Sequence, residues 1–156
     1  MLYYLSLGAN LGNREQTIRL ALQQIEQQIG PILRCSSFYY SQPWGFQSEN
    51  PFCNLCCAVA SSLSPLDVLS HTQAIERALG RTIKSLDGHY HDRTIDIDII
   101  RTFDDAGHEI KCEISNPKLP MSSVSLLTIP HPLWQQRDFV RIPLAEILPE
   151  TLIAQE

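Results

Sequence analysis

Several absences bound what this 156-residue chain does. It lacks a basic surplus: the formal charge is −5, whereas a nucleic-acid binder shows a basic excess or stripe. No stretch approaches the roughly 20 apolar residues of a membrane span. Met1-Leu2-Tyr3-Tyr4 has no basic region and enters a strand pattern directly, so no signal peptide is expected. The five cysteines are an odd number and make no disulfide framework. The match to C-x-x-C at Cys53-Asn54-Leu55-Cys56 lies in a strand-like run, where positions three apart point to opposite faces. With no second pair there is no zinc site, so buried, inert thiols and a reducing, cytoplasmic setting are expected. Internal repeats and low-complexity tracts are also missing. The glycine turn Gly8-Ala9-Asn10-Leu11-Gly12 is neither a P-loop nor G-x-G-x-x-G.

What is present is one domain, residues 1–156, long enough for a hydrophobic core. Leu2 to Leu7 reads as a strand. Asn13, with Gln16 three residues on, caps a helix whose Ile18, Leu22, Ile25 and Ile29 recur at helical spacing until Gly30-Pro31. Ile32 to Ser41 and Phe52 to Ser62 are further strands, separated by a long connection holding Trp44 and Phe46. Ser64-Pro65 opens a second helix, with Val68, Ile75 and Leu79 on its buried side and Gly80 ending it. Gln73, Glu76 and Arg77 form a polar cluster within one turn. Residues 81–92 show no periodicity and read as a mobile loop carrying cations. Asp104-Asp105-Ala106-Gly107 reads as a turn, and the stretch from there to Ser123 resists assignment. Beyond it, Val124 to Ile129 reads as a strand, Leu133 to Arg137 as a short helix, Phe139 to Ile142 as extended chain and Pro143 to Leu148 as a last helical turn. Strand–helix–strand–strand–helix–strand is the ferredoxin-like order. The expected class is therefore α+β, an antiparallel βαββαβ sheet with helices on one face and a C-terminal extension.

The chemistry centres on Arg93-Thr94-Ile95-Asp96-Ile97-Asp98-Ile99-Ile100. Alternation at period two places the isoleucines on one strand face and Asp96 and Asp98 on the other, roughly 6.5–7 Å apart. A strand with two solvated acids fits that spacing as well as a cation site does. Hard carboxylate oxygens suit Mg²⁺, which brings substrate phosphates with it. Two ions about 3.5–4 Å apart would fit in front of the pair. Arg81, Lys84 and Arg93 precede the acids and Arg137 follows, and guanidinium groups match phosphate oxygens. Trp44, Phe52 and Phe139, with the amide of Asn54, supply what a flat, hydrogen-bonding substrate needs. His89 and His91 form a loop pair that serves as structural or substrate contacts more readily than as metal ligands.

These segments together resemble the 6-hydroxymethyl-7,8-dihydropterin pyrophosphokinase family. They are Gly8-Ala9-Asn10-Leu11-Gly12, Ser36-Ser37-Phe38-Tyr39, Pro43-Trp44-Gly45, Pro51-Phe52-Cys53-Asn54, Ile75-Glu76-Arg77 with Gly80-Arg81, the Asp96/Asp98 strand, and Ile129-Pro130-His131-Pro132. The resemblance implies transfer of diphosphate from ATP to the hydroxymethyl group of the pterin, with release of AMP, in folate biosynthesis. It implies that Asp96 and Asp98 hold two Mg²⁺ ions and that Arg81 and Arg93 engage the phosphates. Phe52 and Phe139 would sandwich the pterin, read at its polar edge by Asn54 and the chain around Ser41, Gln42 and Trp44. Gln73, Glu76, Lys84, Tyr90, His131 and Arg137 would lie along ATP. A monomer without nucleic-acid or membrane partners is the expectation. The chain departs from the family pattern at His91-Asp92, where a small pair such as Gly-Pro is common, at Pro132 in place of a tyrosine, at Thr82-Ile83 where some relatives carry an arginine, and in a longer 104–123 segment. The rivals are a non-catalytic ferredoxin-like module for a small ligand or metal, an RNA-binding sheet lacking its aromatic strand, and a D-x-D nucleotide-sugar enzyme.

Overall fold

The computed structural model describes residues 1–42, 51–80, 94–115 and 125–149. The central strand β1 (Leu2–Ala9) is buried along nearly its whole length because it pairs on both sides. It runs antiparallel to β4 (Phe52–Ala60) and to β5 (Asp96–Phe103). β2 (Ile32–Cys35) and β3 (Tyr39–Ser41) both pair with β4 further out.

Helix α1 (Arg14–Gln28) starts where the Asn13 side chain accepts the Gln16 N–H at 3.2 Å, leaving Ile18, Ala21 and Ile25 to face the sheet. Gly30 ends this segment because the Ala60 carbonyl closes on it: a Cβ there would run into that oxygen. α2 (Pro65–Ala78) starts at Ser64, whose hydroxyl accepts the Asp67 N–H, with Pro65 in the first turn. Both helices pack on the β1 face carrying Tyr3, Leu5 and Leu7, together with Ile95, Ile97 and Ile99. Burial of this kind is worth about 25 cal/mol per Å² of apolar surface and holds the βαββαβ unit together.

The expected second strand is split. The Ser36 hydroxyl accepts the Cys56 N–H at 2.9 Å, taking the place of a main-chain carbonyl in the ladder. Ser37 turns aside, its N–H and hydroxyl both donating to the Glu146 carboxylate. β2 ends at Cys35 and β3 begins at Tyr39.

One correction concerns the C-terminal third. Residues 139–142 are helical, not extended: after a 3-10 turn at Trp134–Gln136, helix α3 runs from Asp138 to Ile147 with Pro143 inside it. Proline forfeits one helical hydrogen bond. Val140, Leu144 and Ile147 outweigh that loss by packing on Tyr4, Cys56, Ala58 and Ile100. Thus α1 and α2 share one sheet face, and the C-terminal extension brings α3 to the other. The unassigned 104–123 segment contains β6 (Cys112–Ser115), which pairs with β7 (Ser125–Ile129) as a separate ribbon. The Arg101 guanidinium, buried over Phe103 and Trp134, bonds both Glu109 oxygens at 2.8 and 3.1 Å and ties this region to β5.

Among the cysteines, Cys53 and Cys56 fall in opposite cores, as their spacing requires. Burial pushes the Cys56 thiol up to about 12 and the Cys57 thiol well above its ordinary value, so neither is reactive. Cys35 is an exception to the expected burial, being exposed on the outer strand. No helix among the described residues is long and apolar enough to cross a membrane.

Candidate active site

Strand register assembles the site. Gly8 stands opposite Asp96 on one side and Asn54 on the other, and Asn54 stands opposite Tyr39. One pair along, Ser6 stands between Asp98 and Cys56. Because Ile97 and Ile99 turn into the helical core, Asp96 and Asp98 lie on the opposite face, half-buried, in the same cross-strand rows as Asn54 and Cys56. A β-bulge supports this division of labour. Leu5 pairs with Ile99 and Tyr4 with Arg101, so Ile100 is the extra residue and packs toward α3.

Gly8 leaves the middle of the row open. A Cβ there would meet Asn54 Oδ1 at 3.1 Å and Phe52 Cδ1 at 3.5 Å. Asn54 is buried, and its Nδ2 donates to the Tyr39 carbonyl at 3.0 Å and to Ser41 Oγ at 2.8 Å. Those two bonds fix the amide orientation and direct Oδ1 toward Gly8 as an acceptor. Ser41 therefore orients Asn54, whatever else it touches. Gln42 is exposed beside it. Phe52 opens β4 opposite Ser41. Phe139 lies in the first turn of α3, with the Arg137 guanidinium over its ring at 5.7 Å.

His131 closes the other end. Its main-chain N–H donates to the Ile100 carbonyl at 2.8 Å, and its ring Nδ1 accepts the Leu133 N–H at 3.1 Å. Desolvation, reinforced by the Arg137 charge and opposed by Asp96, lowers its pKa to about 4. The imidazole is neutral at pH 7, with Nδ1 as acceptor and its proton on Nε2. Beside it a cleft of about 250 Å³ opens along the outer edge of β5, lined by Leu69, Asp98, Ile99, Thr128, His131 and Pro132.

Glu76 and Arg77, expected as one polar cluster, separate. Glu76 is buried against β5 while Arg77 is exposed. The Glu76 carboxylate accepts the Ile97 N–H at 2.9 Å. Gln73 lies half-buried one turn earlier on α2. Trp44, Arg81, Lys84, His89, Tyr90, His91, Asp92 and Arg93 lie outside the described residues, and so does the departure at His91-Asp92.

Sequence reading missed the β7 wall of the cleft, since Leu126, Leu127 and Thr128 carry no chemical signature. It also missed the Tyr39 carbonyl, because a main-chain acceptor leaves no mark on residue identity. The capping pattern at Asn13 and Gln16 does not reveal what the first turn of α1 holds. In the structure the Arg14 guanidinium donates to the Pro51 carbonyl at 2.7 Å, and Glu15 accepts from the Tyr40 hydroxyl at 2.9 Å.

No group of three or more metal-ligating side chains occurs among the described residues. Among the described residues, the carboxylates on this face of β5 are Asp96 and Asp98. That pair suits a hard divalent cation whose remaining ligands come from a substrate's oxygens and water.

Comparison with known proteins places the chain as a whole among relatives. The family model for 7,8-dihydro-6-hydroxymethylpterin-pyrophosphokinase matches residues 4–149. A 2-amino-4-hydroxy-6-hydroxymethyldihydropteridine pyrophosphokinase of Porphyromonas gingivalis is 46% identical over 94% of this chain and 90% of its own. The protein of the same name from Bacillus subtilis is 33% identical over 92% of this chain and 76% of its own. The folic acid synthesis protein FOL1 of Dictyostelium discoideum is 35% identical, but the match takes up only 19% of that longer chain. Among solved structures, an HPPK-DHPS in complex with substrates superposes with a TM-score of 0.65 at 16% identity. That match covers 96% of this chain and 40% of the other, and it speaks to the fold alone. With a family model spanning nearly its whole length, this chain belongs to the 7,8-dihydro-6-hydroxymethylpterin-pyrophosphokinase family.

Proposed function

We propose that the protein transfers diphosphate from ATP to the hydroxymethyl group of 6-hydroxymethyl-7,8-dihydropterin, releasing AMP, as a step of folate biosynthesis. The observation that carries this reading is the cross-strand row Asp96–Gly8–Asn54, which sets a carboxylate suited to a cation beside an oriented amide acceptor on one sheet face. A flat heterocycle lying over Gly8 would place a ring N–H against Asn54 Oδ1 and its exocyclic carbon toward the acids. Phe52 and Phe139 are the proposed aromatic walls, and Trp44, from outside the described residues, belongs with them.

ATP is proposed to take the cleft at the β5 edge. His131 Nε2–H and the Arg137 guanidinium offer donors to its phosphates, with Gln73 and Glu76 alongside. The neutral state of His131 lets it donate one hydrogen bond without a second fixed charge. Arg81, Lys84, Tyr90 and Arg93, in the segment beyond description, are proposed as further ATP and phosphate contacts. Asp96 and Asp98 would hold two Mg²⁺ ions, which supply charge neutralisation for the phosphates when bound.

In the reaction the pterin hydroxymethyl oxygen forms a bond to the β-phosphorus. The bond from that phosphorus to the bridging oxygen of the α-phosphate breaks, and AMP departs with the electron pair. The hydroxyl proton passes to solvent. Guanidinium groups match the charge that builds on the transferring oxygens, and placement of the two substrates on adjoining parts of one rigid sheet supplies the entropic advantage. Incubation with Mg-ATP and 6-hydroxymethyl-7,8-dihydropterin is expected to release AMP and diphosphorylated pterin in equal amounts. Folded protein that yields no AMP would leave the reading of a non-catalytic small-ligand or metal module.

A further inference from the structure

We infer that Arg14 and Glu15, in the first turn of α1, are positioning residues for the Asn54–Phe52 half of the site. The inference rests on the pterin assignment above and goes beyond it by naming what sets the geometry of that wall.

Four contacts converge there. Arg14 Nη1 donates to the Pro51 carbonyl at 2.7 Å, fixing the main chain immediately before Phe52. The same guanidinium lies over the Tyr40 ring, 5.5 Å from its centroid. The Tyr40 hydroxyl donates to Glu15 Oε1 at 2.9 Å. Arg14 and Glu15 themselves approach to 3.8 Å. Tyr40 stands opposite Cys53 in the β3–β4 ladder, between the pairs Tyr39–Asn54 and Ser41–Phe52. The first turn of α1 thus grips both strands at the three-residue ladder that carries Asn54, its orienting partner Ser41, and Phe52.

Such a short edge strand is poorly held by its own ladder. β3 has three residues, against the five or six typical of strands. A charged donor on the Pro51 carbonyl and a hydroxyl–carboxylate bond on Tyr40 supply what the ladder lacks, since hydrogen bonds to ionised partners are about twice as strong as neutral ones. The contacts are local to one half of the site. Asp96 and Asp98 are on β5, on the far side of β1 from the β3–β4 ladder. The brace therefore acts on pterin and not on ATP.

The test is the pair Arg14→Met and Arg14→Lys, with Tyr40→Phe as a milder cut that removes the hydroxyl bonded to Glu15 and beside the Cys53 thiol but leaves the Arg14–Pro51 bond in place. Arg14→Met keeps the apolar stem, and is expected to raise the KM for the pterin about tenfold with the KM for ATP changed less than about twofold. Arg14→Lys, which can still donate to the Pro51 carbonyl, is expected to recover most of the loss. Tyr40→Phe is expected to fall between wild type and Arg14→Met. Equal rises in both KM values, or an unchanged pterin KM in folded protein, would overturn the inference. A second readout does not use turnover: in Arg14→Met the amide resonances of Phe52 and Asn54 should shift while those of Asp96 and Asp98 stay in place. If Phe52 and Asn54 do not move, the brace is absent. A wild-type protein that releases no AMP would instead sink the activity, and the resonances would still judge the brace.

Discussion

The carboxylate of Glu76 accepts a hydrogen bond from the main-chain N–H of Ile97, at 2.9 Å, and Ile97 is the residue between Asp96 and Asp98. A buried side chain of α2 thereby holds the outer edge of the strand that presents both acids.

Removing that acceptor leaves a buried amide unpaired. Glu76→Ala is expected to cost about 1–3 kcal/mol of stability, and Glu76→Gln, which keeps a carbonyl oxygen in place, much less. Denaturant titration measures the difference. If the strand edge also governs the acids, kcat should fall in Glu76→Ala while the KM for pterin holds.

Asp98→Ala should abolish most turnover with little loss of stability. The side chain is half-buried on the sheet face opposite Ile97 and Ile99 and belongs to neither hydrophobic core. A rate reduction of 10²-fold or more, in the range of about 3 kcal/mol of transition-state stabilisation, is expected by the AMP assay. A Tm within a few degrees of wild type would accompany it.

Gly8→Ala tests the open middle of the row. The added methyl meets Asn54 Oδ1 at 3.1 Å, and Asn54 is anchored by two hydrogen bonds that resist its retreat. Pterin affinity is expected to drop about tenfold or more, from steric intrusion plus displacement of the acceptor. Fluorescence titration with the pterin reads this directly, and ATP affinity should change far less.

His131 predicts a pH dependence of stability. Its native pKa is lowered to about 4 by burial and by Arg137, below the ordinary 6.5. Between those values the unfolded chain binds a proton that the native protein does not, so this group lowers stability as pH falls through 6.5 toward 4. Above 6.5 it contributes no slope. Metal-free protein melted at pH 7 and at pH 5 should show a smaller loss in His131→Gln than in wild type.

Much of this architecture is legible in the residues themselves, and the rest is hidden for identifiable reasons. Asn13 and Ser64 announce helices because a side-chain acceptor must satisfy exposed first-turn amides, and both do so in the structure. The Ile–Asp alternation announces which face of β5 is buried. The break after Cys35 is invisible because a serine hydroxyl replacing a carbonyl in a ladder resembles any serine in a strand. α3 is misread because Pro143 weighs against a helix locally, while the Tyr4, Cys56 and Ala58 surface that outweighs it is assembled from distant sequence. In the site, Asp96, Asp98, Asn54 and His131 stand out by chemistry. Gly8 matters through the atoms it lacks, and the Arg14 brace acts through a main-chain oxygen, so neither can be deduced from side-chain type.

The outer edge of β5 has one more consequence. An unpaired strand edge invites another chain to add to the sheet, the route to self-association and aggregation. Here Glu76 takes the Ile97 amide, His131 takes the Ile100 carbonyl, and the Ile110 N–H takes the Thr102 carbonyl. Among the described residues, what stays open to the cleft is a stretch around Asp98 and Ile99, too short to template a foreign strand. The same contacts thus cap an edge that could recruit another strand, and variants that loosen them are expected to precipitate more readily than wild type.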